Sequence, residues 1–557
     1  MKEKIATAVR LSWSWLVLCA GLGACGGRVD ADEKLATTGE ALTCSGAATV
    51  RVSVSSSGAQ ANNTSIIPSI SGNDRFVAFD ALASNLVPGD TNGMSDIFVN
   101  DRLTQETTRV SVSSTGVQGD GPAFAPVIDA DGRFVTFGSN ATNLVPGDTN
   151  GVGDIFVRDR TSGVTARVSV SSGGAEADAF SFPEDMSADG RIVVFRSPAD
   201  NLVPGDTNGV DDIFVRDRAT AQTTRVSVSS GGAEANGPSF SASVSGDGRF
   251  VLFVSEATNL VAGDTNGVAD VFVRDRATGQ TTRVNVSSAG AQANARSAAT
   301  GPGSALSSDG RFAVFDSDAT NLVAGDTNGV TDVFLRDRVT GQTARLSLSS
   351  AGGQGDGASF NGAIDASGNA VGFQSSATNL VPGDTNGKSD AFVRDRAAGR
   401  TIRVSLASDG SQGNGDSQFT SLSADGQVAA FTSSATNLVP GDTNDVPDVF
   451  VRLSLPAPTP WAPNTAYAVG DRVTFHQQVW EARSAHTSQV GWEPPNTPAL
   501  WRIPTPCGLS PWAPQTSYLV GSRVVFGGST FECIQAHQSQ TGWEPPATPA
   551  LWRMQSF

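Results

Sequence analysis

Asp90, Asn92 and Asp96 set three oxygen-bearing side chains around Gly93 in the order Asp-x-Asn-Gly-x-x-Asp. Oxygen ligands at alternate positions about a glycine-permitted turn are what a hard divalent cation needs. The same arrangement recurs at Asp148, Asn150 and Asp154, at Asp206, Asn208 and Asp212, and at Asp264, Asn266 and Asp270. It returns at Asp326, Asn328 and Asp332 and at Asp384, Asn386 and Asp390, so calcium is the cofactor these residues suggest. A seventh copy has Asp445 where the glycine stands. The preceding ligand position of a calcium loop falls on Pro88, or on Ala262 and Ala324 in later copies, and none of these carries a side-chain oxygen. A second reading fits the same residues: Asp and Asn close tight turns by bonding their own backbone.

Between Ala47 and Pro460 there is no His, Cys, Tyr or Trp, and the only lysine is Lys388. A serine-histidine relay, a thiol nucleophile and a histidine-ligated zinc site are therefore excluded for this stretch. Paired carboxylates remain as a catalytic possibility, and a glycosidase pair should stand out as two acids that break the repeat. Glu184, Asp185, Asp211 and Glu256 are such acids, although solvated loop residues fit that description equally well. No catalytic residue is assigned.

The other chemistry lies at the far end, where seven of the nine tryptophans and all three histidines follow Pro460. Flat indole faces beside prolines, as in Gly491-Trp492-Glu493-Pro494-Pro495, offer apolar area to a stacked ligand at little ordering cost. The histidines are too scattered to form a metal site.

What positions these residues is repetition. Gly-Asp-Thr-Asn recurs with its Asp at 90, 148, 206, 264, 326, 384 and 442, spaced by 58 residues except for one step of 62 around Ala299 to Ser304. Each unit carries four strand signals. In the second copy these are Ala125 to Ala130, Arg133 to Phe137 after the Asp131-Gly132 turn, Asp154 to Arg158, and Thr165 to Val170. Four antiparallel strands per unit with no helical period predict an all-β fold, a seven-bladed propeller. The strand Val50 to Val54 precedes every other and is expected to complete the seventh blade, tying the chain ends together. Two long loops per unit are expected on one face and the short turns on the other.

The hairpin Asp-Gly-Arg-Phe-Val-x-Phe followed by Asp-Ile-Phe-Val-Arg-Asp resembles the WD40-like repeats of TolB-type propellers over residues 49–455. That resemblance implies architecture and says little of activity. After a proline-rich linker at 456–460, residues 461–502 and 512–553 align without gaps at 26 of 42 positions. Trp461, Tyr467, Gly470, Val473, Trp480, His486, Trp492 and Trp501 in the first copy, and Trp512, Tyr518, Gly521, Val524, His537, Trp543 and Trp552 in the second, resemble carbohydrate-binding module family 5/12, the type 3 chitin-binding domain. Phe531 stands where the first copy has Trp480. Modules are thus expected at 461–503 and 512–554, with 504–511 as a linker. The resemblance implies Trp492 and Trp543 as the sugar platforms and Trp501 and Trp552 as secondary ones. It implies core roles for Trp461, Trp512, Tyr467 and Tyr518, and a backbone hydrogen bond for His486 and His537.

Lys2, Lys4 and Arg10 precede an apolar run from Leu11 to Gly23, which reads as an export signal over 1–24. Leu22-Gly23-Ala24-Cys25 resembles a bacterial lipobox, implying lipidation of Cys25, while cleavage elsewhere after a plain signal also fits. Residues 25–48 read as a tether. Cys507 and Cys533 have the option of pairing, with Cys44 left over. A net charge of −17 disfavours nucleic acid and leaves the lipid as the only route to a membrane. The expected protein is exported to the cell envelope or secreted, and binds insoluble polysaccharide, chitin before cellulose. Its propeller serves as a platform, with a calcium-stabilised face or an unidentified protein partner. The alternative is a propeller glycoside hydrolase or polysaccharide lyase brought to its substrate by the modules.

Overall fold

The computed structural model describes residues 48–299 and 303–453 together with parts of 459–502 and 510–555. The export signal, Cys25, Cys44, Cys507, Trp512 and Trp543 lie outside the described residues. Residues 48–453 form seven four-stranded antiparallel sheets, the blades of a propeller. In blades one to six the strands follow chain order. The seventh is built from Ser417–Leu422, Val428–Ser433 and Asp448–Leu453, and Thr49–Arg51 supplies its fourth strand by pairing Thr49 with Arg452. The expected closure is observed, and it caps an edge that would otherwise present unpaired backbone groups.

In blade two the strands are Ala123–Ile128, Phe134–Ser139, Asp154–Asp159 and Val164–Arg167. The last ends earlier than alternation predicts, because Ser169 turns its hydroxyl back to Asp154 and Val170 bridges to Glu176 in the next loop. Each blade buries one phenylalanine pair across its middle strands, such as Phe137 and Phe156 with ring centroids 5.9 Å apart. Alternation makes this possible: every second residue of each strand faces the neighbouring blade, so apolar sets interdigitate between blades. In blade five the inner strand shrinks to Ser297–Ala298, at the extra residues that lengthen this repeat.

The short-turn face is closed at the axis. Ala130 N–H donates to Ala188 O at 3.0 Å, Ala188 to Gly246 O at 3.1 Å, Ser308 to Ala366 O at 3.0 Å, Ala366 to Ala424 O at 3.0 Å and Ala424 to Gly72 O at 3.2 Å. Small residues are required here, since a Cβ on Gly72 would lie 3.0 Å from that of Ala130 and 3.2 Å from that of Ala424. The inner strands and these residues line a partly open, mostly apolar axial pocket of about 140 Å³. Asp185 lines it and accepts hydrogen bonds from Val244 N, Ser243 Oγ and Met186 N, each at 2.8 Å.

Near the iris, Ser187, Ser245, Ser307 and Ser423 each hold a tight turn through the hydroxyl, whereas blades two and six place Asp129 and Asp365 at that seat. Burial pushes Asp129 up to about 7 and Asp365 to about 6. The folded state then holds more protons than the unfolded state between about pH 4 and pH 7, so both residues reduce stability as pH rises through that window. Bidentate bonds from Arg133 and Arg191 lower Asp159 and Asp217, whose contribution is instead lost as pH falls below about 4. We expect melting temperature to fall from pH 5 to pH 8, and the Asp129→Ser/Asp365→Ser variant to flatten the slope. Differential scanning calorimetry across that range checks it.

Each C-terminal stretch folds as a small four-stranded sheet with a two-stranded one beside it. In the first copy the larger sheet joins Thr459–Pro460, Arg472–Phe475, Gln478–Ala482 and Trp501–Arg502, and the smaller pairs Ala466–Tyr467 with His486–Thr487. The second copy repeats both sheet orders.

Candidate functional site

The first module spends its aromatics unequally. Trp501 is 1% exposed and packs edge-on against Tyr467 and His486, with centroids 5.0 Å away in each case. Tyr467, Val473, Ala482 and Trp501 are the core, with Trp461, Trp480 and Leu500 packed on it. A module of this size cannot bury a core without its largest side chains. Trp552 is 2% exposed and meets His537 in the same edge-on way. The secondary platform role expected of Trp501 and Trp552 is therefore corrected: neither indole face is open to a sugar. His486 Nδ1 donates to Ser484 O and His537 Nδ1 to Gln535 O, both at 2.8 Å, as expected of backbone-holding histidines.

Among the described tryptophans, Trp492 is the exposed one, at 37%. Its presentation is built locally. Gly491 adopts φ +91°, a left-handed conformation that a side chain would oppose, and Trp492 N–H donates to Gln489 O at 2.9 Å. Glu493 accepts from Gly491 N at 3.1 Å and from Asn496 Nδ2 at 3.0 Å, while Thr497 Oγ1 donates to Trp492 O at 3.2 Å. The turn Pro494–Asn496 then fixes the backbone behind the ring. A rigid, half-exposed indole loses little freedom when a pyranose stacks on it.

The Asp-x-Asn-Gly loops are built differently from the cation cage expected of them. In blade two, Arg167 NH1 lies 3.2 Å from Asp148 and 3.0 Å from Asp154, and its other nitrogen meets Glu176. Asn150 Nδ2 donates to Asp154 at 2.9 Å and to Ala177 O at 3.0 Å, while its Oδ1 accepts from Val152 N at 3.2 Å, closing the turn. The pattern repeats. Arg109 serves Asp90 and Asp96, with Asn92 bonded to Asp96; Arg225 serves Asp206 and Asp212, with Asn208; Arg283 serves Asp264 and Asp270, with Asn266. Arg345 serves Asp326 and Asp332, with Asn328, and Arg403 serves Asp384 and Asp390, with Asn386. In blade seven Arg51 arrives from the N-terminal strand to pair with Asp442 and Asp448. Burial still raises Asp148 and its neighbour Asp154 adds to that, against the pull of Arg167. A guanidinium stands between the carboxylates and the asparagine offers nitrogen to them, so this donor set does not fit calcium. Among the described residues no group of three or more acidic, histidine or cysteine side chains is arranged for a metal ion.

The two long loops do share a face. Gln118, between blades one and two, donates from Nε2 to Thr91 Oγ1 at 2.9 Å, and its backbone carbonyl accepts from Asn143 Nδ2 at 3.0 Å, linking the loops of both blades.

Of the acids that break the repeat, Glu184 and Asp211 meet through Arg196, whose Nε is 3.2 Å from Glu184 and whose NH1 is 3.4 Å from Asp211. Burial pushes Glu184 up to about 7. Asp185 turns to its own bonds in the axial cavity, and Glu256 stands exposed on a loop. Beside Arg196 lies a group of residues that pattern reading missed. Phe124 stacks on Phe182 at 5.6 Å and on Phe180 at 5.8 Å, joining blades two and three, and Arg196 sits 5.2 Å over the Phe182 ring. The available signal was substitution within the repeat: Phe180 replaces Thr64, Pro122, Pro238, Arg296, Ala358 or Asp416 of the other blades.

Residues 460–502 and 511–553 each match carbohydrate-binding module family 5/12. The chain is 46% identical over 48 residues to Chitinase A1 of Niallia circulans, covering 9% of this chain and 7% of that protein. It is 44% identical over 63 residues to Streptogrisin-C of Streptomyces griseus, covering 11% and 13% respectively. The chain thus spans a small fraction of either relative. Among solved structures, an oligogalacturonate lyase in complex with manganese matches with 12% identity and a TM-score of 0.45, covering 74% of this chain and 94% of that one. TolB from Acinetobacter baumannii matches with 15% identity and a TM-score of 0.30, covering 65% and 76%. These structural likenesses are of fold alone. Two tandem stretches that each match a carbohydrate-binding module, following a seven-bladed propeller, are what sequence and structure give together.

Proposed function

We propose that this protein docks on chitin-type polysaccharide outside the cytoplasm, with its paired modules gripping the polymer and its propeller placed there as a rigid platform. Trp492 carries the reading: it is a half-exposed indole on a locally braced turn within a stretch that matches a carbohydrate-binding family. Two such modules in tandem make the second contact on a repetitive surface intramolecular, which raises avidity. Export by the N-terminal signal, with lipid on Cys25 holding the protein at the envelope, belongs to the same proposal. The described residues contain no helix long and apolar enough to cross a membrane. Trp543 is assigned the same role in the second module on the strength of the duplicated Gly-Trp-Glu-Pro-Pro sequence. The test is co-sedimentation of the purified chain with insoluble chitin and, separately, with microcrystalline cellulose. Depletion by chitin in excess of cellulose is expected, and a chain that stays in the supernatant with both would overturn the reading.

A further inference from the structure

We propose that the propeller holds a saccharide site of its own, between blades two and three on the long-loop face, formed by Phe180, Phe124, Phe182, Arg196, Glu184 and Asp211, and that it takes a neutral sugar ring. The proposal rests on the reading that this chain's ligand is a polysaccharide, and locates a second place where it is bound.

Comparison of the blades with one another separates scaffold from site. The arginine latches, the stacked phenylalanine pairs and the small-residue iris recur around the ring, so they hold the fold. The group around Phe180 occurs once. Its space is cleared by two glycines: a Cβ on Gly138 would come within 2.2 Å of the Phe124 ring, and one on Gly153 within 2.4 Å of Phe180. The corresponding positions elsewhere hold side chains, for example Val254 and Ala269 in blade four and Gln374 and Ser389 in blade six.

The chemistry selects the ligand class. Phe180 is 42% exposed and stacks on Phe124, which in turn stacks on Phe182, so its ring offers a flat apolar face to a pyranose. A stable protein interface needs roughly 800 Å² per partner, far more than this patch offers. Arg196 is fixed between two carboxylates and over the Phe182 ring, and about a third of both Arg196 and Asp211 reaches solvent. A guanidinium and a carboxylate side by side match the donor and acceptor pattern of neighbouring hydroxyls. Asp211 and Glu184 together answer the charge of Arg196, and the chain carries −17 overall, so an anionic sugar such as a uronate is disfavoured.

The experiment uses the full chain carrying Trp492→Ala and Trp543→Ala, which silences the proposed module platforms, with chitohexaose, cellohexaose and a galacturonic acid hexamer as probes. Binding is read by saturation-transfer difference NMR. Transfer to at least one neutral hexamer is expected to persist in this background, to fall at least tenfold when Phe180→Ala is added, and to be retained with Phe180→Tyr, which keeps the ring. Three results would overturn the site: loss of all transfer in the Trp492→Ala/Trp543→Ala background while the parent binds, transfer indifferent to Phe180→Ala, or preference for the galacturonic acid hexamer. A parent chain that binds no hexamer and no insoluble chitin would instead remove the polysaccharide reading on which the site depends.

Discussion

Replacing Trp492 and Trp543 together by alanine is expected to abolish retention on insoluble chitin, while either change alone lowers apparent affinity by about 10²–10⁴-fold, the share that tandem avidity contributes. The asymmetry follows from what each module keeps. Truncating one indole removes the platform of one module, a loss of about 2 kcal/mol or more if it behaves as binding hot spots do. The remaining module still holds, but the intramolecular second contact is gone. Trp501→Ala should lower binding by another route. Trp501 is buried against Tyr467 and His486, so its loss unfolds the module at a cost of about 3–5 kcal/mol. Depletion isotherms on chitin, read beside thermal unfolding of each variant, separate the two: Trp492→Ala binds poorly and melts normally, whereas Trp501→Ala loses both. Full retention by Trp492→Ala/Trp543→Ala would show that the platforms lie elsewhere.

How far these features were legible in the sequence depended on the range of the interaction that makes them. The blade count and the four strands per blade rest on alternation and on turn residues adjacent in sequence, and they could be read directly. The closure joins Thr49 to Arg452 from the two ends of the propeller and was legible only through the strand count, a leading fourth strand with none left for the last blade. The module platforms were half legible. The duplicated aromatics identify the module, but which of them its core consumes is a question of volume, and burial, not pattern, set Trp501 and Trp552 apart from Trp492. The stacking of Phe124, Phe180 and Phe182 crosses two blades, and no local period announces it. Its trace was the absence of side chains at Gly138 and Gly153, which only a comparison of the repeats with one another would notice. The loop acids were read against the wrong partner. Each pair Asp148 and Asp154, or Asp264 and Asp270, looks like a cation site when only its own loop is considered. The answering charge arrives on the fourth strand, 19 residues beyond the first Asp in six of the seven units, at Arg109, Arg167, Arg225, Arg283, Arg345 and Arg403. That period equals the period of the acids and was available in the sequence.

Arg167→Ala is therefore expected to destabilise the propeller by about 3–5 kcal/mol, the cost of leaving a buried charge without its partner. The side chain of Asp154 has no exposed surface and that of Asp148 is nearly covered, so water cannot replace the guanidinium. Arg167→Lys should recover only part of the loss, because one ammonium nitrogen cannot reproduce a fork that reaches Asp148, Asp154 and Glu176 at once. Asp148→Asn should cost less than Arg167→Ala, since Arg167 keeps Asp154 and Glu176. Urea midpoints for the three variants test this order. The same samples decide the role of calcium. With the latch supplied from within the chain, the parent protein should melt at the same temperature in chelator as in millimolar calcium, because an ion that does not bind the folded state cannot stabilise it. A melting temperature that rises with calcium in the parent would mean that the cation displaces the guanidinium in solution, and the arginine latch would then be the apo arrangement of a calcium loop. A rise seen only in Arg167→Ala would place the acids within reach of a cation once their natural partner is removed, and so assign the choice between the two to Arg167.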